Sequence, residues 1–177
     1  VIYRMFPGKH IQASQFCKPP GFDDSIPFYG AQRDQQAGRG TQLKSLECLC
    51  NVVNSAGVCL FGYLSTTVDC IPEFISAIVG FECGVPEIIT IGERISNMRQ
   101  AFNIREGANL ITAHFPDRAL GIPPLENGPT AQFTVDADLI LGEYLDAMDW
   151  RREDGRPSEA KLRELGMEDI ARDLYPA

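Results

Sequence analysis

The sequence predicts a mainly α fold with two long ordered loops. Three observations carry that expectation. Leu43, Leu46, Cys50 and Val53 recur at helical spacing. Ile88, Ile91, Ile95, Met98 and Phe102 repeat at intervals of three and four. Two stretches, 1–37 and 107–135, carry Pro and Gly without clear periodicity. With 177 residues, 44% of them hydrophobic, the chain suffices for one folded unit.

In chain order, residues 1–37 contain Pro7, Pro19, Pro20 and Pro27 with Gly8, Gly21 and Gly30. A loop this long is expected to lie against a partner domain or a ligand. A helix is predicted over 39–53 and is broken by Asn54-Ser55-Ala56-Gly57, since Gly supplies the left-handed conformation that ends helices. A second helix fits 72–81, with Pro72 in its first turn and Phe74, Ile75, Ile78 and Val79 inward. The third, over 87–103, turns its apolar stripe to the core and keeps Glu93, Arg94 and Arg99 on its polar side. Arg105 and Glu106, just before Gly107, are expected to anchor the loop that follows. That loop carries Pro116, Pro123, Pro124 and Pro129. Asp136 or Asp138 then caps a helix to about 149 that buries Leu141, Tyr144, Leu145 and Met148. Ser158 caps a short helix closed by Gly166, and 167–174 make a last turn or two.

The formal charge of −8 argues against nucleic acid as a partner, because no basic excess exists to neutralise phosphates. The acids gather in the tail, twelve against six bases from Asp136 onward, as a solvated face would have them. No apolar run is long enough to cross a bilayer, so a soluble, cytoplasmic protein is expected. The start at Val1 suggests a piece of something longer. Six cysteines without a C-x-x-C suggest reduced thiols, mostly small core residues, and no self-contained zinc site. Cys48 and Cys50 lie about 200° apart around a helix and cannot grip one metal together. Gly38-Arg39-Gly40 lacks the third glycine of a dinucleotide site, and neither a P-loop nor a Gly-x-Ser-x-Gly elbow is present.

Two residues stand out chemically. Cys59 follows a helix and a turn whose free N–H groups can bond sulfur, which suits an iron–sulfur ligand, although the residues alone favour a buried structural thiol. His10 sits behind the rigid Pro7-Gly8 pair, where an imidazole can serve as general acid or base, or stand simply as an exposed loop histidine.

Gly92-Glu93-Arg94-Ile95, Phe102-Asn103-Ile104-Arg105-Glu106-Gly107 and Phe115-Pro116-Asp117-Arg118 resemble the G-E-R-I, F-N-x-R-E-G and L-P-x-R motifs of the tungsten-dependent aldehyde:ferredoxin oxidoreductase family. The turn at 54–59 resembles that family's D-x-x-G-L-C, and Pro7-Gly8-Lys9-His10-Ile11-Gln12 resembles its P-G-R-H-T-Q variant. The tail, with Lys161-Leu162-Arg163-Glu164-Leu165-Gly166, is similar to the family's ending. The resemblance implies a single helical C-terminal domain over 1–177, with the N-terminal pterin-binding domain and the middle domain outside this chain. It implies oxidation of an aldehyde to a carboxylate at tungsten, or molybdenum, held by two pterins (tungstopterin), with electrons leaving through a [4Fe-4S] cluster to ferredoxin or another electron-transfer protein.

By the same resemblance, Cys59 is the fourth cluster ligand and His10 the catalytic residue beside the metal. Asn54, Gly57 and Val58 occupy the pterin motif, and Gln12 sits at another pterin position. Asn54 stands where the motif has Asp, which keeps an acceptor and drops a charge. The partners implied are the enzyme's other domains, a small aldehyde and, as an open option, a second copy of the chain. Two alternatives stand beside this: an aromatic-thioester ring reductase of the same superfamily, and a helical scaffold that has lost catalysis.

Overall fold

A computed structural model describes residues 36–59, 62, 70–109, 111–112, 115–128 and 130–176. The described residues form helices α1 (Arg39–Ser55), α2 (Cys70–Val79), α3 (Val85–Arg105), α4 (Asp117–Leu120), α5 (Ala137–Met148), α6 (Glu159–Glu164) and α7 (Glu168–Leu174). Among them no strand forms, only isolated bridges at Leu125–Ala131 and Trp150–Pro157. The mainly α class is as the sequence predicts, and each predicted helix is present with its ends shifted by a few residues.

Helix α1 is the centre of the arrangement and packs against both α3 and α5, while α7 packs on α6 and α3. Both crossings of α1 are made by glycine. A Cβ placed on Gly92 of α3 would stand 2.1 Å from the backbone oxygen of Cys48. A Cβ on Gly40 of α1 would stand 2.4 Å from the Ile140 oxygen and the Tyr144 nitrogen of α5. The obstacles are backbone atoms, which no rotamer change can clear. Gly40 therefore owes its place to packing, as does the first residue of Gly92-Glu93-Arg94-Ile95.

The start of α1 has no side-chain cap of its own, and Gly38 adopts the left-handed conformation there. Glu143 of α5 supplies the missing acceptor: its Oε1 takes the Gly38 N–H at 2.7 Å and its Oε2 the Gly40 N–H at 3.0 Å. A carboxylate at the positive end of a helix satisfies orphan donors and is favoured by the macrodipole. Asp136 caps α5 by accepting from the Leu139 N–H at 3.0 Å, and Ser158 caps α6 by accepting from the Lys161 N–H at 3.0 Å, both as predicted. Glu87 accepts from the Gly84 N–H at 2.9 Å ahead of α3.

Three apolar clusters fill the spaces. Leu49, Val52 and Val53 of α1 meet Ile71, Cys83 and Ile88. Tyr144, Leu145, Met148 and Trp150 form the α5 side. Ala101 of α3 joins Leu162, Leu165, Met167, Ala171 and Leu174 of the tail. The loop after Gly107 is not wholly irregular, since it contains α4 and closes on itself where the Val135 N–H donates to the Leu120 carbonyl at 2.8 Å.

Two expectations need correction. The α3 stripe is not uniformly inward: Ile88 is buried, while Met98 is 56% and Phe102 55% exposed. A helix that crosses its neighbour at Gly92 carries only part of its stripe over that neighbour, and its last turns bury a different face, through Asn97, Gln100 and Ala101. Likewise Phe74, Ile78 and Val79 of α2 point outward, while Ile75 packs against the core as expected, because the helix touches the core through Ile71, Pro72 and Ile75 alone.

Gly92→Ala should therefore cost about 3 kcal/mol, at the upper end of overpacking penalties, because the helices themselves must separate. Urea unfolding followed by circular dichroism should show a lower midpoint. Ala at Gly57, which has open space but a φ of +73°, should cost only about 1 kcal/mol.

Candidate functional site

The last turn of α1 carries the motif with the clearest chemical content. The Val58 N–H donates to the Val53 carbonyl at 3.2 Å and the Gly57 N–H to the Asn54 carbonyl at 3.2 Å, the paired bonds of a Schellman ending. Gly57 is left-handed, as the sequence requires. The chain then leaves the helix as an exposed turn: Asn54, Gly57, Val58 and Cys59 are all open to solvent, and the Cys59 thiol is free. Asn54, Gly57, Val58 and Cys59 are thus brought together on one turn. His10 and Gln12 lie outside the described residues, as does His114.

The other described cysteines differ. Cys48 is fully buried at the α1–α3 crossing, and burial, then Glu93 and Glu47, push its thiol up to about 12. At neutral pH it stays protonated and is neither a nucleophile nor a metal ligand. Burial and then Glu87 push the Cys83 thiol up as well. Cys50 and Cys70 are partly buried. Among the described residues, no three His, Cys, Asp or Glu side chains converge as a metal site. The donor set fits a group held mostly elsewhere: an exposed thiol for a cluster and an adjacent amide for a pterin edge.

Behind the turn lies a buried polar array. The Tyr144 hydroxyl donates to Glu47 Oε2 at 2.7 Å, and Ser96 Oγ stands 3.5 Å from Glu47 Oε1. Asn51 Nδ2 donates to Ser96 Oγ at 2.8 Å, and Arg99 Nη1 donates to Asn51 Oδ1 at 2.8 Å. On the other side of α3, the Trp150 indole donates to Asn97 Oδ1 at 2.9 Å and Gln100 Nε2 to the Gly155 carbonyl at 2.9 Å. Most of these residues belong to no motif in the sequence. Glu47 and Asn51 lie one turn apart along α1 and Ser96 and Arg99 one turn apart along α3, which puts each pair on one face without showing that the two faces meet.

The polar residues of Gly92-Glu93-Arg94-Ile95 are structural, not a surface decoration. Glu93 is buried, with Lys44 of α1 2.6 Å and Lys161 of α6 3.8 Å from its Oε1. Arg94 donates from Nε to the Leu165 carbonyl at 2.7 Å, fastening the end of α6. Arg105 and Glu106 pair with each other at 3.2 Å and stay exposed, and the Arg105 guanidinium lies 5.2 Å from the centre of the Phe102 ring.

Residues 6–167 match the family described as "Aldehyde ferredoxin oxidoreductase, domains 2 & 3", and the chain belongs to that family. It is 31% identical over 119 residues to the tungsten-containing aldehyde ferredoxin oxidoreductase of Pyrococcus abyssi and 30% identical over 119 residues to that of Pyrococcus horikoshii. The Pyrococcus furiosus enzyme is 29% identical over 116 residues. The first two alignments cover 67% of this chain and 19% of each relative, and the third 66% and 19%. The chain therefore matches about a fifth of their length.

The Cys48 thiol has a pH signature. Its pKa is raised from 9.0 to about 12 in the folded state, so the stability it contributes is fully present below pH 9 and is lost as pH rises toward 12, where the unfolded chain alone releases the proton. Unfolding midpoints measured across pH 9 to 12 should fall less steeply in Cys48→Ala than in the parent. Equal slopes would show that the buried thiol does not titrate as described.

Proposed function

We propose that this chain is the C-terminal helical part of a tungsten-pterin, iron–sulfur oxidoreductase that oxidises an aldehyde to a carboxylate and passes the electrons to ferredoxin. The observation that carries this reading is the exposed free thiol of Cys59 on a Schellman-ended turn with Asn54, inside a chain that belongs to the family.

In this reading, 1–177 is one domain, and the N-terminal and middle domains of the same enzyme complete the site. Cys59 is the one thiolate this chain gives to a [4Fe-4S] cluster. Asn54, Gly57 and Val58, with Gln12, face a pterin; the Asn54 amide accepts from a pterin amino group without adding negative charge. The bis-pterin tungsten centre, or its molybdenum counterpart, supplies the two-electron redox chemistry when bound. His10 holds or moves a proton beside it. The remaining partners are a small aldehyde, an electron-transfer protein and, as an option, a second copy of the chain. The reading places the enzyme in the cytoplasm; among the described residues, no helix is long and apolar enough to cross a membrane.

In the complete enzyme, Cys59→Ala should lower iron content and abolish electron transfer to ferredoxin while tungsten stays near the parental level. If Cys70→Ala or Cys83→Ala lost the iron and Cys59→Ala kept it, the assignment would fail. His10→Ala should lower kcat by about 10² to 10⁴, the usual worth of a general acid or base, with tungsten and iron unchanged. His10→Asn should recover part of that loss if the imidazole only donates a hydrogen bond. Near-parental turnover in His10→Ala would remove His10 from the mechanism.

A further inference from the structure

We propose that Arg99 and Asn51 are positioning residues that fix the turn bearing Cys59. This inference rests on the reading of Cys59 as a cluster ligand. Asn51 is buried one turn before Asn54 on α1 and is engaged twice by α3: its Oδ1 accepts from Arg99 and its Nδ2 donates to Ser96, each at 2.8 Å. Arg99 and Ser96 sit three residues apart, so one side chain of α1 is gripped by two successive positions on one face of α3. Ser96 continues the array to Glu47, which also takes the Tyr144 hydroxyl from α5 at 2.7 Å.

Apolar packing at Leu49, Val52 and Val53 holds α1 and α3 together but is non-directional and permits small rotations or slides. The Asn51 fork is directional and removes that freedom at the last turns of the helix. The Schellman bonds then carry the fixed frame outward, because Val58 and Gly57 donate to Val53 and Asn54, two and three positions after Asn51. Cys59 is the next residue. A metal ligand needs its position set by outer partners, and such partners commonly tune the metal they do not touch. Burying Asn51 and Glu47 costs desolvation that an apolar pair would avoid, so this array contributes placement in addition to stability.

The test uses the complete, cofactor-loaded enzyme with Arg99→Ala, the milder Arg99→Met, and Arg99→Lys as the conservative rescue. Trp150→Phe is the control, since it removes a hydrogen bond to Asn97 of the same helix without touching Asn51. Three quantities are read: iron content, the midpoint potential and EPR line shape of the cluster, and amide exchange at Val58. Arg99→Ala and Arg99→Met should retain iron, shift the potential, alter the line shape, and exchange Val58 roughly tenfold faster. Arg99→Lys should restore the parental values, and Trp150→Phe should leave them unchanged. Unaltered potential and exchange in Arg99→Ala would overturn the proposal, as would the same changes in Trp150→Phe, which would mean general loosening. Full iron retention in Cys59→Ala would sink the cluster reading alone, and Val58 exchange would still decide whether Arg99 fixes the turn.

Discussion

Everything described here depends on how closely α1 can be approached. Two glycines, Gly40 on α1 itself and Gly92 on α3, remove the side chain at the two places where backbone meets backbone. Two consequences follow from that proximity. Helix α1 is held from both sides along its length, and polar groups on its flanks come within reach of polar groups on its neighbours. Glu143 reaches the first amides of α1 in this way, and Asn51 reaches Ser96 and Arg99. A crossing built from larger residues would place the helices further apart and leave these side chains short of their partners.

The buried charge follows the same logic. Glu93 and Glu47 are both buried and both act on Cys48, a position that would be costly for isolated carboxylates. Glu93 has Lys44 and Lys161 beside it, and Glu47 has the Tyr144 hydroxyl and Ser96. The two acids in turn keep the Cys48 thiol protonated, with burial as the larger cause. The chain thus separates its cysteines by environment: a buried, inert one in the middle of α1 and an exposed, free one just past its end.

The periodicity at 141–148 is legible because that helix buries one face, while α1, packed between two neighbours, buries Glu47, Cys48, Asn51 and Val52 as well as the Leu46 and Val53 of its stripe. The caps at Asp136 and Ser158 are legible because capping is a local property of sequence. The failures have one physical origin. Apolar periodicity says which residues share a face, not how much of that face a neighbour covers. Met98 and Phe102 continue the stripe of Ile88, but past the crossing at Gly92 the helix buries Asn97, Gln100 and Ala101 instead, and Phe74 and Ile78 belong to a helix that reaches the core through Ile71, Pro72 and Ile75. The candidate site divides in the same manner. The Gly57 ending follows from local signals, whereas the exposure of Cys59 departs from the buried thiol that the residues alone favour, and the Asn51 clamp joins residues 45 and 48 positions apart, a pairing that single-sequence spacing does not show.

These features bear on why a cluster ligand would sit where Cys59 does. A thiol in mid-helix would be placed rigidly but buried, which is the condition that makes Cys48 unreactive. A thiol on a long loop would be accessible but would sample many positions, and each would have to be abandoned on binding. The first residue after a Schellman ending takes something from both situations. Its backbone is tied to the helix by the two bonds at Val58 and Gly57, while its side chain is already outside the helix and free of the core. That compromise works only if the helix end does not move. The dense array of glycine crossings and buried hydrogen bonds around α1 meets that requirement without adding any residue to the exposed turn itself.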